Sequence, residues 1–279
     1  AEFPPPERTA RPKRVLVVGG GPAGMEAARV AALRGHQVTL VEREPELGGT
    51  PLLVATAPER EPMRLVSDWR IDQLRGLDVA VQTGTDATPD FVRAFPADVV
   101  VLATGGRPRP GERVPGIDLP NVVSVRDALR GQVPGNGRVV IIDEQGYYPA
   151  IDAAQALAVA RRPVTVVTGD SVVSTQLGSS GEISPWYIRA SVLDVDLRPL
   201  VEVVAIEPDA VVLRSRFGPG AERIEGVDAV VLASYELPND GLYQALVGQV
   251  PNLHRIGDCL APRRVLHAVL EGNRLGRSI

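Results

Sequence analysis

An apolar run from Arg14 to Val18 passes straight into Gly19-Gly20-Gly21-Pro22-Ala23-Gly24, and from there into a helical pattern over about Pro22 to Leu33. Few arrangements constrain a chain more, because G-x-G-x-x-G between a buried strand and a helix specifies a tight βα turn. Gly19 permits the turn, Gly21 lets main chain approach a pyrophosphate, and Gly24 lets helix and strand pack closely. The helix N-terminus offers an anion free N–H groups and a partial positive charge. Gly35 ends the helix and Gln37 to Val41 reads as the next strand, which completes a βαβ unit. Glu42 closes that strand, where a carboxylate can accept both hydroxyl hydrogens of an adenosine ribose and repels a 2′-phosphate.

A second unit of the same plan begins at Arg138 to Ile142, continues through an Ala-rich helix from about Ile151 to Ala160, and returns over Val164 to Thr168. Val79 to Thr83 and Ala97 to Thr104 read as strands between the two units. Val201 to Ile206, Val211 to Ser215 and Val227 to Ala233 read as a meander with a returning core strand. Gly131 to Gly137 is the expected linker, and a helix over Arg264 to Leu275 closes the chain. The Pro-rich Ala1 to Pro6, followed by Arg8, Arg11, Lys13 and Arg14, reads as exposed linker. Ser171 to Ser184, rich in Ser and Gly, reads as a mobile loop.

The chain's 279 residues are enough for two α/β domains. A net charge of -4 without a large basic block argues against nucleic acid as a partner. The apolar runs fall far short of the ~20 residues that cross a bilayer, so no membrane partner is expected. Cys259 is the single cysteine, which rules out an internal disulfide and suits a cytoplasmic, reducing setting. Alone at a helix start, it reads as a buried filler. His36, His254 and His267 lack ligand spacing, so no metal is expected. Trp186-Tyr187 and Tyr147-Tyr148 stand out where aromatics are only 4% of the chain, and ordinary packing is the expectation for them.

With Glu42-Arg43-Glu44, Leu47-Gly48-Gly49-Thr50, Ala103-Thr104-Gly105-Gly106 and Ile256-Gly257-Asp258-Cys259 in that order, the chain resembles the two-domain fold of disulfide reductase-like proteins. Within that group it is most similar to the C-terminal half of the Old Yellow Enzyme-related family. That family includes 2,4-dienoyl-CoA reductase, trimethylamine dehydrogenase and histamine dehydrogenase. The run Gly257-Asp258-Cys259-Leu260-Ala261-Pro262-Arg263 is the most family-specific.

The resemblance implies an α/β fold of two Rossmann-like dinucleotide-binding domains, the second inserted into the first. The first would cover 14–130 and 254–279, the second 138–250, with 1–13 as linker. FAD is the implied cofactor, with ADP as the alternative. Gly19, Gly21 and Gly24 would hold the pyrophosphate, Glu42 the ribose, Arg43 the adenine edge and Asp258 the ribityl chain. Pro22, Ala23, Gly49, Thr50, Ala87, Thr104, Gly105 and Gly257 would complete the site. No catalytic acid, base or nucleophile is expected here. Family members of this kind also carry an N-terminal TIM barrel with FMN and an iron–sulfur cluster. One cysteine cannot ligate such a cluster, and no barrel-length segment precedes Arg14. The expected partner is therefore that barrel, on another chain or on a part that was removed.

In the second unit the three glycine positions fall on Asp143, Gln145 and Tyr148. A carboxylate at Asp143 opposes a pyrophosphate in a partly dry site, and Tyr148 fills space that close approach needs. The next strand ends in Val167-Thr168-Gly169, with neither an acidic ribose reader nor an arginine pair, so NAD(P) is not expected. The stretch from Asp143 to Tyr148 is similar to the turn in the family's amine dehydrogenases, which by resemblance pass electrons to an electron-transferring flavoprotein. The expected function is an FAD-binding relay module of an oxidoreductase. An NAD(P)H-dependent flavin reductase and a non-catalytic ADP-holding structural arm remain open on the same residues.

Overall fold

The computed structural model describes residues 4–109 and 114–279. The chain divides into two compact units: one of residues through Leu52, Pro62–Arg107 and Glu236–Ile279, the other of Leu53–Glu61 and Pro108–Tyr235.

The first unit is built on a five-stranded parallel sheet in the order Leu253–Arg255, Val99–Leu102, Arg14–Val18, Gln37–Val41, Val79–Gln82. Its central strands are almost continuously apolar and buried, as strands covered on both faces must be. From Arg14–Val18 the chain steps outward through Gln37–Val41 to Val79–Gln82, then returns to Val99–Leu102 on the other side. The strand order therefore reverses between Arg14–Val18 and Val99–Leu102. Open α/β sheets form their ligand crevice at such a reversal, beyond the carboxyl ends of the strands. The first helix spans Pro22–Leu33 and packs against the closing helix Val265–Ser278.

Those helices are pinned by a buried charge. Glu26 is only 3% exposed; its Oε1 lies 2.8 Å from Arg29 Nη2 and accepts from Asn273 Nδ2 at 2.8 Å, while its Oε2 lies 3.3 Å from Arg70 Nε. Arg29 and Arg70 both also lie over the Trp69 ring. Burial pushes the Glu26 carboxyl up, but the hydrogen bonds from Arg29 and Asn273 and the charges of Arg29 and Arg70 outweigh it, holding the group below its ordinary range.

The second unit repeats the plan with a five-stranded parallel sheet in the order Val122–Ser124, Val227–Ala233, Arg138–Asp143, Val164–Val167, Asp196–Arg198. A three-stranded antiparallel meander of Val201–Glu207, Ala210–Ser215 and Ala221–Glu225 is attached to it. The Ala-rich helix covers Tyr148–Val159, three residues earlier at its start than the sequence predicts.

Several expected boundaries move. Residues 53–61 and 108–130 were expected in the first domain but fall in the second unit, where Val122–Ser124 pairs in parallel with Val227–Ala233. Residues 236–250 were expected in the second domain. Asn239 instead exchanges hydrogen bonds with Thr104 and Gly105, and Leu246 is buried among Leu16, Val100 and Leu102 of the first. Gly131 to Gly137 is no linker between the units, since Asn136 and Gly137 donate to Asp228 Oδ2 and Arg162 Nε donates to Gly137 O, all within the second. The described residues before Arg14 carry no helix or strand, yet they are tied down: Thr9 N donates to Arg34 O and Lys13 Nζ to Ile279 O. The stretch 171–184 is packed rather than loose, with a 3-10 helix at Thr175–Ser180 and with Val173 and Leu177 fully buried. Among the described residues no helix is long and apolar enough to cross a membrane.

Candidate dinucleotide-binding site

At the crevice of the first sheet, three residues separate Arg14–Val18 from Pro22–Leu33. Gly19 has φ +109, and a Cβ there would sit 2.2 Å from Ala103 O. A Cβ on Gly24 would sit 1.9 Å from Gly19 O, so nothing larger than hydrogen fits between helix and turn. Gly21 is the contrast: a Cβ there would meet nothing within 4 Å, which leaves its main chain open to a ligand. No side chain caps the helix and no acidic residue lies in its first turn, so its positive end is uncompensated. This is a cradle that fits a pyrophosphate.

Glu42 is half-buried and clasps the turn. Its Oε2 accepts from Gly20 N at 2.5 Å and its Oε1 from Glu44 N at 2.8 Å. A carboxylate offers about four acceptor positions, so two remain for hydroxyls of a ribose. Arg43 is exposed on the rim, 3.6 Å from Glu44. Gly49 backs onto the turn, where an added Cβ would lie 3.0 Å from Gly21 Cα, and the exposed Thr50 starts a short helix beside it. Thr85 N donates to Glu42 O, and Ala87 follows, packed on the cluster that contains Val18 and Leu102. Thr104 and Gly105 leave the neighbouring strand on the other side of the crevice, after Ala103 N has donated to Val18 O.

The last motif comes to the same place from the far end of the chain. Gly257 lies against Ala23 of the first helical turn, 2.8 Å from its Cβ to an added one, and Gly257 N donates to Glu271 Oε2 at 2.7 Å. Asp258 is half-buried beside it and accepts from Arg263 N at 3.1 Å. Pro22, Ala23 and Gly24 form the helix start, with Gly49, Ala103 and Gly257 lying against it. Cys259 is fully buried, and burial pushes its thiol up despite hydrogen bonds to Thr104, so it is poorly placed to react.

In the second unit the matching turn is bonded to a side chain of its own. Asp143 is 4% exposed; its Oδ1 accepts from Gly146 N at 2.8 Å and its Oδ2 from Ser174 N at 2.9 Å. Burial pushes this carboxyl up, against the pull of those N–H groups. Gln145 Nε2 donates across the reversal point to Ser234 O. The turn is also one residue longer than its counterpart, with four residues between strand and helix. A helix beginning at about Ile151 would leave Tyr148 in the turn; it is instead the first helical residue, its ring 4.1 Å from the Arg60 guanidinium and edge-on to Tyr147. Trp186 is fully buried core, and Tyr187 Oη accepts from Val173 N.

Residues 13–272 match the model of the pyridine nucleotide-disulphide oxidoreductase family. The chain belongs to that family. Among its members this chain is 35% identical to N,N-dimethylglycine/sarcosine dehydrogenase of Chromohalobacter salexigens, over 95% of this chain and 44% of the relative. The solved 6-hydroxypseudooxynicotine amine oxidase of Pseudomonas geniculata N1 superposes with TM-score 0.93 at 31% identity, over 98% of this chain and 42% of that one. The chain thus spans less than half the length of these family members. Thioredoxin reductase of T. acidophilum shares the two-domain fold of the family at TM-score 0.67 and 19% identity, over 96% of this chain and 97% of its own.

Sequence reasoning missed two features, Glu26 with its arginines and Asp152 with Arg60. In both cases the available signal was a carboxylate inside an otherwise Ala-rich helix, in Met25-Glu26-Ala27-Ala28 and Ile151-Asp152-Ala153-Ala154.

Proposed function

We propose that this family member is the FAD-binding, electron-relaying module of a larger flavoenzyme, and that its second unit takes no nicotinamide dinucleotide. The observation that carries this reading is the asymmetry of the two crevices. Gly21 leaves open space where a diphosphate would lie, while in the equivalent turn Asp143 takes up the Gly146 main-chain donor and ties the turn to Ser174 N.

When bound, FAD supplies the redox chemistry on its isoalloxazine ring. The chain's own part is to hold and orient it. Main-chain amides about Gly19, Gly21 and Gly24 hold the diphosphate, the free acceptor positions of Glu42 take the ribose hydroxyls, Arg43 borders the adenine, and Asp258 accepts from the ribityl chain. The remaining residues of the crevice, from Gly49 and Thr50 through Ala87, Thr104 and Gly105 to Gly257, form its walls.

Relatives named as N,N-dimethylglycine/sarcosine dehydrogenase, dimethylamine dehydrogenase and an amine oxidase support an amine as the substrate of the whole enzyme. Its oxidation takes place on a TIM barrel with FMN and an iron–sulfur cluster, in a further part of the chain or on a partner subunit, in a cytoplasmic setting. The single cysteine supports placing the cluster there. An electron-transferring flavoprotein is the acceptor.

Denaturing the purified chain tests the reading. The supernatant is expected to be yellow and to contain FAD by mass, and NADH or NADPH is expected to leave the native chain's colour unchanged over minutes. Rapid bleaching would favour a nicotinamide-dependent flavin reductase, and colourless ADP a structural arm; either result would overturn the proposal.

A further inference from the structure

The second unit holds a cavity of about 200 Å³, bounded by Glu59 and Arg60, the helix Tyr148–Val159, the 3-10 helix Thr175–Ser180 and the helix Ile183–Val192. Four buried polar atoms on its lining residues have no hydrogen-bond partner. Trp186 is fully buried and its indole Nε1–H is unmatched. Asp152 is 2% exposed, and its Oδ1 lies 3.2 Å from Arg60 Nε, inside ion-pair range, yet neither atom makes a hydrogen bond. Arg189 Nε is unmatched as well, although its Nη1 lies 3.1 Å from Glu59 Oε2. Leaving such groups unpaired forfeits their hydration with nothing in return.

The unmatched set is three N–H donors and one carboxyl. In its acid form that carboxyl is a fourth donor. A carboxylate has about four acceptor positions on its two oxygens and no hydrogen to place against a donor. Water is a poorer match to these atoms, since each molecule brings two hydrogens to a set whose one acceptor is the Asp152 carboxyl. The charges set a limit: with Asp152 neutral, Arg60 and Arg189 only balance Glu59 and Glu182, so a dianion is excluded and a monoanion must be held by hydrogen bonds from the three N–H donors rather than by surplus positive charge. Ile151, Leu177 and the Tyr148 ring offer apolar wall for a short tail.

We propose that this cavity is a binding site for a small monocarboxylate, held by the N–H groups of Arg60, Trp186 and Arg189 and by the carboxyl O–H of Asp152. Binding is then tied to a proton. Burial pushes the Asp152 carboxyl up to about 7 against the pull of Arg60. Only the acid form donates, so affinity is present below that value and lost as the pH rises through it. The other ionisable groups facing Asp152 are Glu59 and Arg60 from the preceding segment, Tyr148 from its own helix, and Glu182 and Arg189 from the later one. Burial also pushes the Tyr148 hydroxyl up, so it stays neutral over this range.

Acetate is the probe. The chain has two tryptophans, so Trp69→Phe leaves Trp186 as the only indole reporter. Acetate is expected to change its fluorescence saturably at about pH 6, with affinity about tenfold weaker at about pH 8. Adding Asp152→Asn supplies a permanent N–H donor, and binding is expected to persist with its pH dependence gone. In wild-type protein, a given acetate concentration is expected to raise the thermal midpoint more at the lower pH than at the higher. An absence of saturable change, or equal affinity at both pH values before Asp152 is altered, overturns the proposal. So would a crystal grown in acetate with only waters in the cavity.

Discussion

Gly24→Ala is expected to yield a colourless protein that unfolds roughly 10 °C early. A Cβ at this position would lie 1.9 Å from Gly19 O, a main-chain atom that no side-chain rotation can move away. Helix and turn must separate, which costs about 3 kcal/mol as an overpacked core contact. The same separation tilts the amides away from the diphosphate, so bound flavin is lost by at least about tenfold, or 1.4 kcal/mol. Visible absorbance and thermal unfolding read the two effects independently. A yellow variant of wild-type stability would mean that the helix does not press on the turn.

The second large effect belongs to Glu26. Glu26→Gln keeps the shape but removes the counter-charge from Arg29, 15% exposed at its side chain, and Arg70, 12% exposed. Breaking a buried ion cluster in this way costs about 3–5 kcal/mol, and the thermal midpoint is expected to fall by roughly 10 °C. The dependence on pH has a definite sign. Because the folded carboxyl lies below its ordinary value, its contribution is complete above the unfolded value of about 4.3 and is lost as the pH falls through the folded one. Wild type and Glu26→Gln should therefore converge in stability under acid, and parallel melting curves across that range would contradict this account of the cluster.

The first βαβ unit was legible because every signal in it is local. The apolar run, the glycines and the helix of Pro22–Leu33 lie within a few residues of one another, and the expected bounds coincide with the observed ones. The same is true of the Val227–Ala233 strand. What could not be read depends on distant partners. Val122–Ser124 is only three residues long, and it declares its sheet through a strand a hundred residues later. Residues 53–61 carry no periodicity that assigns them to the second unit; Arg60 beside Asp152 does so. Asp143 was legible as an acid in a phosphate turn, but its satisfaction by Ser174, 31 residues on, lay inside a stretch that composition marks as loop. Buried charges follow the same rule. Glu26 and Asp152 are ordinary letters in alanine-rich helices until arginines from elsewhere are brought against them.

The central claim is that one crevice of this chain grips a dinucleotide and its counterpart cannot. Crystals of the chain grown with FAD and soaked with NADPH put that to the most direct test. The account predicts diphosphate density against Gly21 with a ribose at Glu42, and none beside Asp143. Nucleotide density at Asp143 and Tyr147 with an empty turn at Gly21 would contradict it.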